Sequence, residues 1–314
     1  MGNKLEVQKN FPKTPETREL RKITWPESVW FFDIDDTLSD TSDVSAAATV
    51  GIERVVAKKF GDEIALVIRN QINNYYNLML FAGRIKEDSD WDRIGGKSEF
   101  ENLYKSIQDC QQSVIEKFGA PKKWSREVLL KLAADKIGVK LDPEFIYEAV
   151  DAYWIELSKI TSVFPDALEL LNAIKEKKRP IYLLTSSDAR LKMNPDGQFI
   201  YDPEYSEALK RERIELLRDK GVVFDSLIIG DPEDKPHKDF FEKGLARATA
   251  DLGSKIDMEK VIIVGDQFAN DLRTPKEMNF GWVVLINRMD NQSEIVDEQQ
   301  INTDNLGKVA KYLD

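Results

Sequence analysis

Five short stretches are apolar throughout: Val29 to Phe32, Ile181 to Leu184, Leu227 to Ile229, Val261 to Val264 and Trp282 to Ile286. Consecutive apolar residues without alternation mark strands covered on both faces, since a strand with one wet face alternates in and out. Segments of helical period, such as Asp166 to Lys175 and Phe240 to Ala248, alternate with the last four. Strand and helix in alternation predict parallel strands joined by right-handed crossovers. The expected fold class is α/β, with a Rossmann-like, doubly wound, mainly parallel sheet as core.

Residues 42–161 depart from this alternation. Apolar residues there recur at three- and four-residue spacing, predicting helices over 44–60, 62–81, 98–118, 126–137 and 143–160. A helical block placed directly after the first strand predicts an inserted α-helical domain over 42–161. The core is then discontinuous, 29–41 with 162–314, and 1–28 is a polar, proline-containing extension. Gly83 to Lys97 is rich in charge and glycine and reads as irregular. Within 191–206, Asn194-Pro195-Asp196-Gly197 signals a turn and suggests a hairpin. The mixed charges of Leu209 to Glu215 are most simply a solvent face.

Composition narrows the setting. At 314 residues the chain is longer than one compact core usually holds, and 42% hydrophobic with 32% charged residues is ordinary for a globular protein. The net charge of −11 argues against binding nucleic-acid polymers, which calls for clustered Lys and Arg. Cys110 is the one cysteine, so no intrachain disulfide forms, and no segment has the length and apolarity of a membrane span or a signal core. The expectation is a cytoplasmic protein, monomer or homodimer, with no membrane partner.

The chemistry gathers where strands end. In open parallel sheets, ligands bind at the carboxyl ends of the strands. The first strand runs into Asp33, Asp35 and Asp36; the second into Thr185, Ser186, Ser187 and Asp188. The third is followed by Gly230-Asp231 and Lys235, and the fourth by Gly265-Asp266 and then Asp271. Carboxylates crowded in a low dielectric repel unless a cation compensates them. An all-oxygen, Asp-rich set suits Mg²⁺, which also carries positive charge to phosphate oxygens.

Asp33-Ile34-Asp35-Asp36-Thr37-Leu38 after an apolar strand resembles the first motif of the haloacid dehalogenase-like hydrolases. Thr185 closing its strand, Lys235-Pro236 with Phe241 beyond, and Gly265-Asp266-Gln267-Phe268-Ala269-Asn270-Asp271 resemble the second, third and fourth motifs, in order. Phe164 to Leu171 is similar to the stretch that re-enters the core from the cap. The resemblance implies an enzyme: Asp33 as nucleophile forming an aspartyl-phosphate, and Asp35 as general acid and then base. It implies Thr185, with Ser186, and Lys235 on the phosphoryl oxygens. It also implies a magnesium site from Asp33, Asp35 (through its backbone carbonyl), Asp266 and Asp271. A helical cap inserted after the first motif resembles the subgroup acting on small phosphorylated metabolites, nucleotide or sugar phosphates among them. A phosphomutase would keep the same groups, and a catalytically silent binding protein would keep the fold. Dehalogenation needs no metal and usually lacks the second aspartate.

Other features carry less. Arg93 to Ser98 imitates a phosphate-binding Gly-rich loop, but Trp91 stands where its first glycine belongs. Arg84, Arg93 and Lys97 are candidate substrate contacts from the cap, against the simpler reading of a solvated charged loop. Lys238 stands where the family often has proline, which makes it a competitor of Lys235 for the site. Asp36 reads as a turn cap and Asp188 as a weak candidate; His237 reads as incidental and Cys110 as packing.

Overall fold

The computed structural model describes residues 26–82, 91, 96–289 and 293–312. The chain opens with strand β1 (Val29–Phe32) and a two-residue strand β2 (Ser39–Asp40). Seven helices follow: α1 (Ser42–Ala48), α2 (Val50–Phe60), α3 (Asp62–Ala82), α4 (Lys97–Asp109), α5 (Gln112–Phe118), α6 (Arg126–Lys136) and α7 (Pro143–Ile160). The two-residue strand β3 (Ser162–Val163) pairs antiparallel with β2, so the helical insertion leaves and re-enters the sheet domain through one narrow ribbon. Then come α8 (Pro165–Glu176), β4 (Ile181–Ser186), the hairpin β5 (Leu191–Met193) and β6 (Phe199–Tyr201), and α9 (Pro203–Glu215). The remainder is β7 (Ser226–Gly230), α10 (Lys238–Leu252), β8 (Val261–Gly265), α11 (Arg273–Glu277), β9 (Trp282–Ile286), β10 (Glu294–Asp297) and β11 (Gln300–Thr303).

The central sheet has seven strands in the order β10-β11-β9-β8-β1-β4-β7, parallel except for the edge pair β10–β11. The five apolar runs are the five strands at its centre and one edge. The fold is thus a Rossmann-like α/β sheet. Alternate side chains feed two cores. Trp30 and Phe32 pack with Leu170, Leu171 and Ile174 of α8 on one face. Val29 and Phe31 pack with Phe240, Phe241 and Ala248 of α10 on the other. β11, one strand in from the edge, escaped the sequence reading because Gln300-Ile301-Asn302-Thr303 holds one apolar residue. It is positioned by its pairing with β9, beyond the reach of local pattern.

The insertion has a hydrophobic cluster of its own, drawn from α1 to α7 and joined by Leu191, Phe199 and Tyr201 of the hairpin. Two helices begin at a capping aspartate followed by proline. Asp142 accepts from Phe145 N ahead of Pro143, as Asp202 accepts from Tyr205 N ahead of Pro203 in α9. The single helix expected over 44–60 divides at Thr49, whose hydroxyl turns back on Ala46 O. That expected over 98–118 divides at Gln111, whose buried amide bonds both N and O of Lys122. The hairpin turns at Asn194–Gly197, with Gly197 at φ +79°.

Gly51 brings α2 against α7: a Cβ there would lie 2.2 Å from Ala152 O. Helix propensity alone would make Gly51→Ala stabilising by about 1 kcal/mol. The backbone contact reverses the sign, and a loss of about 1–3 kcal/mol is expected. Urea denaturation of the variant decides between them.

Candidate functional site

β1 is the strand from which the chain steps first one way, to β4 and β7, and then the other, to β8 and β9. Its carboxyl end is the topological switch point, where the neighbouring loops part. Asp33 emerges there, nearly buried, with its N–H on Val264 O at 2.9 Å. The chain then folds over itself. The amides of Leu38 and Ser39 reach Ile34 O at 2.9 and 3.1 Å, and Asp36 adopts φ +62°. The Asp36 carboxylate accepts from the amides of Thr41 and Ser42, which makes it a cap for the start of α1. Thr37 Oγ1 donates to Asp33 Oδ2 at 3.1 Å, and Arg288 ties the loop down by donating to Thr37 O while gripping Asp166.

Around Asp33 lie groups that follow two other strands, β7 and β8. Lys235 Nζ bonds Asp33 Oδ1 and, at 2.8 Å, Asp271 Oδ1. Burial works against the Lys235 charge, but Asp33 and Asp271 outweigh it and raise its pKa. Asp271 is fixed from its other oxygen by Gln267 N at 2.9 Å. Gly265 makes this approach possible, since a Cβ there would fall 2.5 Å from that of Asp271. Ligand oxygens of Asp33, Asp266 and Asp271 lie within 4.8 Å of one another. Asp266 Oδ1 is buried with no hydrogen-bond partner. Burial and the neighbouring carboxylates push Asp33 up to about 7 and Asp266 up to about 8.

Thr185 is buried at the end of β4. Ser186 Oγ donates to Asp234 Oδ1 at 2.8 Å, and that same oxygen accepts from Lys235 N at 2.7 Å. Asp234 thus shapes the loop that carries Lys235. Lys238 is exposed in the first turn of α10 and pairs with Glu242. Lys97 is exposed at the start of α4; Arg84 and Arg93 lie outside the described residues.

One expectation is overturned. Leu209 to Glu215 is not a solvent face, for Lys210 and Arg213 of α9 are 1% and 9% exposed. Lys210 Nζ stands 2.9 Å from both Asp35 Oδ2 and Asp188 Oδ1. Arg213 grips Asp188 through two nitrogens at 2.8 and 2.9 Å and lies 3.6 Å from Asp35 Oδ1. Thr41 Oγ1 adds a bond to Asp35 at 3.0 Å. Burial would raise the pKa of Asp35, but Lys210 and Arg213 more than reverse it, and the carboxyl lies well below its ordinary range. Charge alternation looked like solvation because Arg211 and Glu212, between the two cations, do face water. A second carboxylate, Asp188, at the end of an apolar strand was the available hint.

The donor set is all oxygen, crowded and incompletely neutralised by one ammonium, and one of its oxygens has no partner. Asp33, Asp266 and Asp271 therefore fit a hard divalent cation such as Mg²⁺. Asp33 also has a geometry suited to a nucleophile: a carboxylate at a strand tip, its charge steadied by Lys235 and Thr37.

Comparison with known proteins agrees with this geometry. A sequence model described as haloacid dehalogenase-like hydrolase matches residues 28–279. No curated protein matches the chain. Among solved structures, the 2-haloacid dehalogenase of Pseudomonas syringae pv. Tomato DC3000 is 14% identical with a TM-score of 0.51, covering 91% of this chain and 97% of that one. A proposed β-phosphoglucomutase of Thermotoga maritima is 16% identical with a TM-score of 0.50, covering 90% and 97%. At these identities the likeness is one of fold.

Lys210→Met leaves the partly exposed Asp35 and its neighbour Asp188 with one cation and is expected to destabilise the protein by about 2 kcal/mol at pH 7. Burial opposes ionisation of Asp188, but Arg213 and Lys210 outweigh it and lower its pKa. A depressed carboxylate stabilises above its unfolded value, about 3.9, and that contribution is lost as pH falls through the folded one. The penalty of the variant should therefore shrink as pH falls below 4, as urea titrations at pH 7 and pH 3.5 would reveal. An equal penalty at both would show that Lys210 acts through packing alone.

Proposed function

The chain belongs to the haloacid dehalogenase-like hydrolases, and on that premise we propose that it is a magnesium-dependent phosphomonoesterase working through an aspartyl-phosphate at Asp33. The observation that carries the reading is the cluster of Asp33, Asp266 and Asp271 around Lys235, with Asp266 Oδ1 unpartnered. A monoester phosphate brings negative charge to carboxylates that already repel one another, so compensation is the first requirement of catalysis. Asp33, Asp266 and Asp271 would hold Mg²⁺, with the Asp35 carbonyl as a further ligand; bound there, the ion supplies positive charge to a phosphoryl oxygen.

Each remaining step belongs to the chain's own groups. Asp33 attacks phosphorus and the bond to the alcohol oxygen breaks, that oxygen taking a proton from Asp35. Water then attacks phosphorus, giving its proton to Asp35 as the bond to Asp33 breaks and phosphate leaves. Thr185 and Lys235 steady the phosphoryl oxygens. Held by Lys210 and Arg213, Asp35 is ionised and ready for the second half of this cycle. Serving as acid in the first half requires it to take a proton and slacken those contacts.

Against dehalogenation stands the acidic cluster, which has no use in a reaction that needs no cation. The helical insertion, tethered by β2 and β3 beside Asp33, suits a cap that excludes water and selects small soluble phosphate esters. A phosphomutase shares every group named here, and dependence on a bisphosphate activator with little net phosphate release would mark it.

Asp33→Asn should lower phosphate release from an aryl phosphate by at least about a thousandfold while leaving the melting temperature near that of the parent. Lys235→Ala should cost at least about a hundredfold and Lys238→Ala less than about twofold; the reverse order would reassign the lysine. Mg²⁺ must displace protons from Asp33 and Asp266, whose raised values of about 7 and about 8 put that competition at neutral pH. Thermal stabilisation by Mg²⁺ should therefore grow from pH 6 to pH 8.5 and level off above. A response flat across that range would remove these two carboxylates from the metal site.

A further inference from the structure

Four basic side chains are buried among the described residues: Arg126, Arg190, Lys210 and Arg213. Three face carboxylates. Arg190 bonds Glu127 and Asp151, each at 2.6 Å, while Lys210 and Arg213 share Asp35 and Asp188. Arg126, only 6% exposed, is the exception. Its Nη1 donates to Trp124 O at 2.9 Å, and its Nη2 to Ser45 Oγ at 3.2 Å and Tyr153 Oη at 3.1 Å. The rings of Tyr76 and Tyr153 lie 4.4 and 5.0 Å from its guanidinium carbon. All these partners are neutral, and no carboxylate among the described residues pairs with it.

A guanidinium has five N–H donors in a planar fork that matches an oxyanion two bonds at a time. Ring faces and hydroxyls stabilise a desolvated cation, but less than an anion does. The neighbouring carboxylate in sequence, Glu127, is committed elsewhere, to Arg190 and Ser125. Among the described residues, the charge of Arg126 thus has no anionic partner, while Arg190, Lys210 and Arg213 each have one.

The position of Arg126 relates it to Asp35. Ser45 lies in α1, one turn beyond Thr41, whose hydroxyl bonds Asp35. Tyr153 precedes Trp154 in α7, and the Trp154 ring carries Arg213 5.2 Å above it, which in turn reaches Asp35. Two separate routes, one along α1 and one through α7 and α9, lead from the proposed acid–base group to the same guanidinium. A ligand whose phosphoryl group meets Asp33 would extend its alcohol portion past Asp35 toward the insertion.

We propose that Arg126, with Ser45, Tyr76 and Tyr153, forms a subsite for a second anionic group, carboxylate or phosphate, on the alcohol portion of the substrate. It rests on the phosphatase reading. The test measures kcat/KM on three series of phosphate esters of two to six carbons, ending in a hydroxyl, a carboxylate or a second phosphate. Wild type is expected to favour an anionic end over the hydroxyl by about 10- to 100-fold, chiefly through KM, and the preferred series identifies the anion. Arg126→Met should abolish that preference; Arg126→Lys, which keeps charge without the fork, should retain part of it and serves if the first variant melts early. Absence of any preference in wild type, with hydrolysis intact, overturns the subsite alone. So does a preference that survives Arg126→Met, or a loss shared equally by all three series, which marks a purely structural arginine. Failure to hydrolyse every ester and an aryl phosphate as well overturns both readings.

Discussion

Three carboxylates with oxygens inside 4.8 Å cannot all stay ionised in a half-buried site unless positive charge is brought to them. Much of the sheet's architecture serves that requirement. The cluster draws on the ends of two adjacent strands, β1 and β8, and the compensating ammonium arrives from beyond a third, β7. Lys235 neutralises one charge, and its carrying loop is braced by Asp234 through Ser186 and a backbone amide. The balance left over, with an orphaned oxygen on Asp266, makes the site receptive to a cation and, through it, to an anion. Stability and the proposed chemistry are opposed here, since a neutral residue in place of any of the three carboxylates would relieve repulsion and weaken the hold on a cation.

A second charge balance is set beside the first and runs the other way. Around Asp35 and Asp188, two cations meet two carboxylates, and the result is an acid held ionised. Asp33 and Asp35 are two residues apart in sequence, yet one is pushed up and the other down. In a continuing strand that spacing would put both on one face. But β1 ends at Phe32, and the turn that follows delivers Asp35 to α9 while Asp33 stays among the crowded carboxylates. Carboxyl groups with diverging pKa values are what acid–base chemistry at neutral pH requires.

The buried centre of the sheet was legible because its strands are covered on both faces and so write themselves as unbroken apolar runs. The gathering of Asp33, Lys235, Asp266 and Asp271 was legible because each follows such a run or the loop after it, where parallel topology gathers ligands. β11 was not, since it is placed by its pairing with β10 and β9 and carries no apolar run of its own. Nor were Lys210 and Arg213. At helical spacing they look like any solvated pair, and only the third dimension puts Asp35 and Asp188 opposite them. Arg126 gave no signal at all; a charged residue opening an amphipathic helix is ordinary, and its burial depends on α1, α3 and α7 closing over it.

The division between sheet and insertion follows from these differences in legibility. Groups that act on phosphorus must converge at one point, and a parallel sheet provides that point by topology, with little dependence on the sequence between its strands. Groups that read the remainder of a substrate have no fixed address, because each substrate extends differently. The insertion suits that second role, since it holds a hydrophobic cluster of its own, joined by the β5–β6 hairpin, and meets the sheet domain through the narrow β2–β3 ribbon. On the proposed reading, changes within α1, α3, α6 and α7 would reshape selectivity while leaving the carboxylate cluster in place. A guanidinium with only neutral partners suits such a layer, whereas Lys210 and Arg213, close to the sheet's strand ends, each meet a carboxylate.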